Sequence, residues 1–168
     1  MTRFTSLAQF KQGMDVEQWL DAYFARHGFQ IEKTSAHQER VECLGDRIFT
    51  KNGKAQYIEY KSGIQTFYTG NIFLETVSVD SQNKPGWMFT CKADWIIYAA
   101  LLNNIILFFY PPYLRENAEI LRREFREVST HNQNETYKTW GLVVPLEKAK
   151  KLATKIIELT PRMEKQLI

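Results

Sequence analysis

The sequence is poor in the residues that build thiol- and imidazole-based sites. It contains two cysteines, Cys43 and Cys91, and three histidines, His27, His37 and His131. Neither cysteine belongs to a C-x-x-C motif, and the histidines lack the spacing of metal ligands, so neither a disulfide framework nor a zinc site is indicated. We predict that both cysteines are core thiols and that the histidines are structural or surface residues.

Other signatures are missing as well. The chain has no glycine-rich phosphate loop and no nucleophile elbow, which argues against an NTPase and a serine hydrolase. Residues 1–12 lack the hydrophobic stretch of a signal peptide, and the apolar run 95–110 is interrupted by Asn103 and Asn104. We therefore expect two buried strands in this run, no membrane span, and a cytoplasmic location.

Size and charge bound the class of protein. With 168 residues and 44% hydrophobic content, the chain is long enough for one substantial core. Its net charge of +3 and pI of about 8.8 are compatible with a polyanionic partner, although charge alone does not identify nucleic acid. We predict a single domain over residues 14–168, preceded by an N-terminal extension over residues 1–13.

Hydrophobic periodicity predicts a mixed α/β fold, in which a sheet is flanked by helices. Residues 14–27 have helical spacing, and Gly28 supplies a stop. The dipeptide Asn52-Gly53 is a strong hairpin signal. The predicted strands are 29–34, 41–50, 55–61, 71–79, 95–102, 105–110 and 137–144, and the later helices are 113–126 and 146–159.

The hairpin brings together Asp46 and the triplet Glu59-Tyr60-Lys61. In the expected register, positions 46 and 59 lie almost opposite each other, where side chains on a shared face approach within about 5 Å. Alternation places Lys61 on the same strand face as Glu59. Two carboxylates can hold one hard divalent cation, and an adjacent ammonium group can offset negative charge. The competing interpretation is a solvated strand edge with a salt bridge.

These residues resemble the PD-(D/E)XK nuclease superfamily. The segments 69–75, 84–87 and 91–98 follow in an order similar to small phage-type and Holliday-junction-resolvase-like members, so the resemblance covers roughly residues 14–160. Gly45 stands at the position of the proline in the superfamily's name, and no aspartate closely follows Lys61. The resemblance implies a restriction-endonuclease-like core, with a central mixed β-sheet flanked by helices.

The resemblance also implies a catalytic centre. Asp46, Glu59 and Lys61 would be catalytic, and Mg²⁺ or Mn²⁺ would be held by Asp46, Glu59 and the backbone carbonyl of Tyr60. Glu75 and Glu17 are further candidate ligands. Glu75 could instead support nearby hydrogen bonds, and Glu17 could instead serve the dipole of the first helix.

Six further residues are candidates for substrate binding. Amide, hydroxyl, ammonium and aromatic groups can grip phosphates or stack on unpaired bases. Turn or packing roles are the competing interpretation, and for the residues around position 87 this is a surface loop anchored by its tryptophan. The candidates are Gln65, Tyr68, Asn71, Lys84, Trp87 and Lys92.

We therefore expect a metal-dependent endonuclease that hydrolyses DNA phosphodiester bonds, with branched or recombination intermediates as possible substrates. Members of this kind are often phage or mobile-element encoded and act as homodimers. The alternative is a non-catalytic DNA- or partner-binding subunit that keeps the nuclease-like fold. An RNA nuclease is a third interpretation, because no residue distinguishes a ribose partner.

Overall fold

The computed structural model describes residues 16–130 and 136–160, so the predicted extension at 1–13 lies outside the described residues. The described chain forms a mixed α/β structure with a six-stranded mixed sheet and a four-stranded antiparallel sheet. The predicted fold class is confirmed. Only one central sheet was predicted, however, so the second sheet is a finding of the structure.

The helices of the described residues are short, apart from the first. Two 3₁₀ turns, Asp80–Gln82 and Leu101–Asn103, lie between strands. The α-helices are α1 Val16–Arg26, α2 Ala36–Arg40, α3 Ile64–Thr69, α4 Trp87–Thr90, α5 Pro111–Glu116, α6 Ala118–Glu124 and α7 Leu146–Leu152.

The strands are β1 Gln30–Lys33, β2 Arg47–Lys51, β3 Lys54–Ser62, β4 Asn71–Val79, β5 Lys84–Pro85, β6 Trp95–Ala100, β7 Ile105–Phe109, β8 Glu127–Thr130, β9 Thr139–Pro145 and β10 Lys155–Glu158. The first sheet has the order β1-β2-β3-β6-β7-β10, and the second has the order β5-β4-β9-β8. In the first sheet β3 and β6 are parallel, which places the centre of β3 between an antiparallel and a parallel neighbour.

The β2–β3 hairpin follows the predicted register. Asn52 and Gly53 have φ of 53° and 73°, the positive values that a tight two-residue turn of this type requires. Arg47 pairs with Ile58. The strand predicted over 41–50 is wrong in its first part, because residues 41–46 are turn and irregular structure and β2 begins only at Arg47. Helix α2, which precedes this segment, is stabilised by a capping box between Ser35 and Gln38.

Two hydrophobic clusters cover the two faces of the first sheet. One packs helix α1 against this sheet, and Ile58 and Tyr60 belong to it. The other lies between the two sheets and includes Ile96 from β6 and Leu74 from β4. Since side chains alternate along a strand, Glu59 and Lys61 point away from α1, toward the side of the second sheet.

The C-terminal part differs from the predicted pattern. The helix predicted over 146–159 ends at Leu152, and Lys155–Glu158 forms β10 at the edge of the first sheet. Strand β7 is buried along its whole length, and β10 supplies its second hydrogen-bonding neighbour. The helix predicted over 113–126 is likewise two helices, α5 and α6, which meet at Asn117.

The apolar run of residues 95–110 forms the two buried strands β6 and β7, as predicted. None of the helices in residues 16–130 and 136–160 has the length and apolar character needed to cross a bilayer. Cys91 is buried, as predicted, whereas Cys43 is partly exposed, so the prediction of a second core thiol is wrong.

Candidate functional site

Glu59 and Lys61 form a half-buried ion pair on β3. The side chain of Glu59 is 19% exposed and that of Lys61 is 28% exposed, and Lys61 Nζ lies 2.5 Å from Glu59 Oε1. Their strand has neighbours on both sides, β2 and β6. The competing interpretation is therefore wrong about a solvated strand edge, because these charges sit in the middle of a sheet and are largely covered, but the salt bridge that it named is present.

Asp46 reaches the same strand through a close backbone approach. Gly45 has φ of +92°, and a Cβ atom at this position would lie 2.3 Å from the carbonyl oxygen of Ile58. Only glycine permits this approach and this φ without strain. The N–H of Asp46 donates to Ile58 at 2.9 Å, and the N–H of Tyr60 lies 3.3 Å from both carboxylate oxygens of Asp46. Asp46 thus lies just before β2, but it continues the register of the β2–β3 hairpin.

The carboxyl group of Asp46 lies where a negative charge is costly. Burial and the charge of Glu59 together raise its pKa to about 7, although the N–H of Tyr60 acts in the opposite direction. The β2–β3 register, in which Arg47 pairs with Ile58, puts Asp46 opposite Glu59, and the repulsion between their charges agrees with this placement. Two covered carboxylates in this relation are the usual surroundings of a hard divalent cation.

A third carboxylate comes from the second sheet. Glu75 on β4 accepts a hydrogen bond from the N–H of Trp87 at 3.3 Å. A Cβ atom at Gly86 would lie 2.4 Å from the carbonyl oxygen of Glu75, so glycine is needed where the chain passes this residue. Burial raises the pKa of Glu75, and the charge of Lys61 lowers it. Glu75 therefore faces Lys61, and both the ligand role and the supporting role predicted for it stay open.

Asp46, Glu59, Lys61 and Glu75 are called the acid–lysine cluster below. Burial lowers the pKa of Lys61, but the charges of the three carboxylates outweigh this effect and the pKa lies above its usual value. The ammonium nitrogen also lies 5.8 Å from the centre of the Trp87 ring. Within this cluster Lys61 is a fixed cation, which favours charge stabilisation over a role as general base.

A buried arginine network supports Asp46 from the α1 side. Arg47 is 3% exposed, and its Nε donates to the two carboxylate oxygens of Asp21 at 3.0 and 3.1 Å. Its other nitrogens donate to Glu17 at 2.8 Å and to the backbone carbonyl of Asp46 at 3.0 Å. The hydroxyl of Tyr60 donates to Asp21 at 3.0 Å. The network anchors helix α1 to the start of β2 and to β3.

The arginine network changes the interpretation of Glu17. The sequence pattern had not led us to predict this network. Glu17 binds Arg47, and its charge also raises the pKa of Asp46, so it lies beside the cluster, with a role beyond that of a helix-dipole residue. The role that the structure shows for Glu17 is its ion pair with Arg47, and its predicted role as a metal ligand stays a prediction. Two signals were available: acids four residues apart on α1, and an arginine directly before the apolar pair Ile48 and Phe49 in β2.

The other predicted substrate-binding residues are spread over the surface near the cluster. Trp87 lies against it, and Gln65 and Asn71 line a groove of about 740 Å³. The amide of Asn71 donates to the carbonyl of Thr69 at 2.8 Å, which is a turn role. Three residues have exposed side chains that make no hydrogen bond to the cluster within the described residues: Tyr68, Lys84 and Lys92.

The ligand set fits magnesium or manganese better than a metal that prefers nitrogen or sulfur. In residues 16–130 and 136–160, no group of three or more acidic, histidine or cysteine side chains is arranged to hold a metal ion. Two carboxylates and one carbonyl are available. The carbonyl of Tyr60 points to the same side of β3 as its N–H, which faces Asp46. Mg²⁺ commonly uses one or two carboxylates and keeps several water ligands.

Comparison with known proteins adds no family, since neither a protein-family model nor a curated protein matches this sequence. The function must therefore be argued from the side chains and their geometry.

Proposed function

We propose that this protein is a Mg²⁺- or Mn²⁺-dependent endonuclease that hydrolyses DNA phosphodiester bonds. The observation that supports this most directly is the convergence of Asp46 and Glu59 beside a lysine that is held in place. Asp46 is directed by the N–H of Tyr60, and Glu59 is bound to Lys61 at 2.5 Å. Arrangements that only stabilise a fold rarely bring two covered carboxylates together, because their repulsion is unfavourable.

The reaction requires a water oxygen to bond to phosphorus while the bond to the leaving oxygen breaks. A cation bound by Asp46 and Glu59 would activate this water and neutralise charge on the phosphoryl oxygens. Lys61 would direct its ammonium group at the phosphoryl oxygens and offset the charge that develops in the transition state. The ion pair with Glu59 holds the ammonium group in position, and the Trp87 ring lies beside it.

DNA is the substrate class that the sequence resemblance and the mildly basic charge favour. Exposed cations near the cluster, such as Lys84 and Lys92, would bind the phosphate backbone without reading sequence. We extend the proposal to branched or recombination intermediates, and to a homodimer whose two-fold axis would match the two antiparallel DNA strands.

The proposal is tested by substitutions that keep the fold but remove one charged group. Glu59→Gln and Lys61→Ala are each expected to reduce cleavage by a factor of about 10² or more, because each removes a group that acts on the transition state. The measurement is fragment formation from linear, single-stranded and branched DNA and from RNA, with Mg²⁺, Mn²⁺ or EDTA. Glu119→Gln and Lys33→Ala, at exposed positions on α6 and β1, are the matched controls.

Two results would contradict the proposal. One is unchanged cleavage in both variants. The other is a mobility shift of the DNA without fragments for the unsubstituted protein under every metal condition, which is the behaviour expected of a non-catalytic binding subunit. Fragments from RNA alone would keep the mechanism and replace the substrate.

A further inference from the structure

A groove of about 740 Å³ opens where helix α3 meets the second sheet. Its lining includes Gln65 from α3, Phe73 from β4, Val143 from β9, and Arg126 and Val128 around the start of β8. The volume lies within the range of about 300–1,000 Å³ that is typical of pockets for small ligands and cofactors. The groove is thus large enough for one nucleotide.

Residues that line the groove are close neighbours of cluster residues along two strands. Phe73 and Glu75 are two residues apart on β4, so their side chains leave the same face of the strand at a separation of about 7 Å. On β3, Ser62 lines the groove and directly follows Lys61. A strand of nucleic acid whose phosphate lies at the cluster would therefore place a neighbouring nucleotide at the groove.

The lining combines a flat apolar wall with polar groups at its rim. A Cβ atom at Gly141 would lie 2.5 Å from Cζ of Phe73, so glycine leaves the space in which the phenyl ring rests on β9. Val128 and Val143 extend this apolar wall. Arg126 and Gln65 are exposed and bring a guanidinium group and an amide to the same groove.

This combination matches the chemistry of a nucleobase. An aromatic ring can stack on any base, an amide can pair with a base edge, and a guanidinium group can bind a base edge or the adjoining phosphate. A base inside a duplex presents neither its flat face nor its pairing edge. Only an unpaired or extruded base can enter such a groove.

We infer that this groove receives an unpaired nucleotide of the substrate strand next to the cleaved bond, which makes single strands and flaps the favoured substrates. The inference rests on the proposed nuclease function, because it assigns the neighbouring phosphate to the acid–lysine cluster. Phe73 would be the stacking surface, and Arg126 would bind the phosphate or the base edge.

The test measures base binding separately from cleavage. It uses the Glu59→Gln protein, expected not to cleave, and short DNA carrying one 2-aminopurine, either in a single-stranded flap or in a full duplex. Stacking on Phe73 should change the fluorescence of the flap substrate. Phe73→Ala should raise its Kd about 10-fold, within the range for loss of one base–aromatic contact. Tyr113→Ala, an exposed aromatic on α5 away from the groove lining, should leave the Kd unchanged.

Arg126→Met keeps the test decisive if Phe73→Ala does not fold, because Arg126 is exposed and lies outside the packed core. It should raise the Kd for the flap substrate several-fold and lower the dependence of binding on salt. Equal affinity for flap and duplex, or an unchanged Kd in both folded variants, would overturn the inference. A different result would be a raised Kd for the flap substrate in Phe73→Ala and Arg126→Met, together with no fragments from the unsubstituted protein in Mn²⁺. In that case only the nuclease proposal fails.

Discussion

Single residues fix the charge at the candidate site. Asp46 is covered by the chain around Gly45 and faces Glu59, and burial together with this charge raises its pKa to about 7. Lys61 offsets part of the negative charge through its 2.5 Å contact with Glu59. The acid–lysine cluster therefore keeps a surplus of negative charge at neutral pH, which a divalent cation would balance.

The raised pKa of Asp46 predicts a pH-dependent stability in the absence of metal. A carboxyl group whose pKa is about 7 when folded and 3.8 when unfolded favours the folded state while it is protonated. This stabilisation is complete at pH values below the unfolded pKa and is lost as the pH rises to about 7. Asp46→Asn should therefore raise the free energy of unfolding near pH 8 by roughly 1–3 kcal/mol.

The measurement is urea denaturation in EDTA at several pH values. The difference between Asp46→Asn and the unsubstituted protein should vanish near pH 4, where Asp46 is protonated in the folded state. Mg²⁺ at pH 8 should stabilise the unsubstituted protein more than the variant. A constant difference across the pH range would show that the group is not buried beside another charge.

A second prediction concerns Gly45, because this position combines a positive φ with a lack of space for a Cβ atom. Gly45→Ala should lower the free energy of unfolding by more than about 2 kcal/mol and displace Asp46, since the new Cβ would collide with the Ile58 carbonyl. Gly70→Ala is the matched control. Gly70 also has a positive φ, of 69°, but nothing lies within 4 Å of its Cβ position, so its cost should be about 1 kcal/mol.

Urea denaturation of these two variants gives both costs. Equal losses would indicate that backbone strain alone accounts for the effect, and that the close approach of residue 45 to β3 does not exist in solution.

At the level of helices and strands, the β2–β3 hairpin was predictable from the sequence. The segment that leads into the hairpin, which contains helix α2, was not. Asn52-Gly53 and the alternation in 55–61 are local signals, and both held. Helix α2 was missed because its five residues, Ala36–Arg40, bury no side chain and therefore show no apolar periodicity. Its capping box, Ser35 with Gln38, was a local signal that could have found it.

The Arg47 network links α1 to the β2–β3 hairpin. Its loss should therefore weaken the packing of α1 against the hairpin. Arg47→Met should lower the free energy of unfolding by roughly 1–3 kcal/mol, because it removes the buried guanidinium group that binds the partly exposed carboxylates of Asp21 and Glu17. Arg40→Met, at an exposed position on α2, is the control and should change it by less than about 0.5 kcal/mol.

Chemical denaturation in parallel gives both values for the arginine variants. A cost for Arg47→Met no larger than that of Arg40→Met would mean that the ion pairs are open in solution and do not hold α1 against the hairpin.

Across the whole molecule, the mixed α/β class followed from periodicity but the division into two sheets did not. Strand β4 was predicted with its observed bounds, yet its partner β9 lies far along the chain, and period-2 alternation does not say which strands pair. For the same reason the sequence could not decide whether Glu75 joins Asp46 and Glu59. It arrives on the other sheet, and only the packing of the two sheets brings it opposite Lys61.

The most direct measurement of the central claim is a crystal structure of the protein soaked with Mn²⁺, with the ion located by its anomalous scattering. The account predicts a peak between the carboxylates of Asp46 and Glu59, at about 2.0–2.3 Å from the ligand oxygens and with the Tyr60 carbonyl within reach. Lys61 should stay beside the site. A structure in which the two carboxylates diverge, or in which Mn²⁺ binds only elsewhere, would contradict the account.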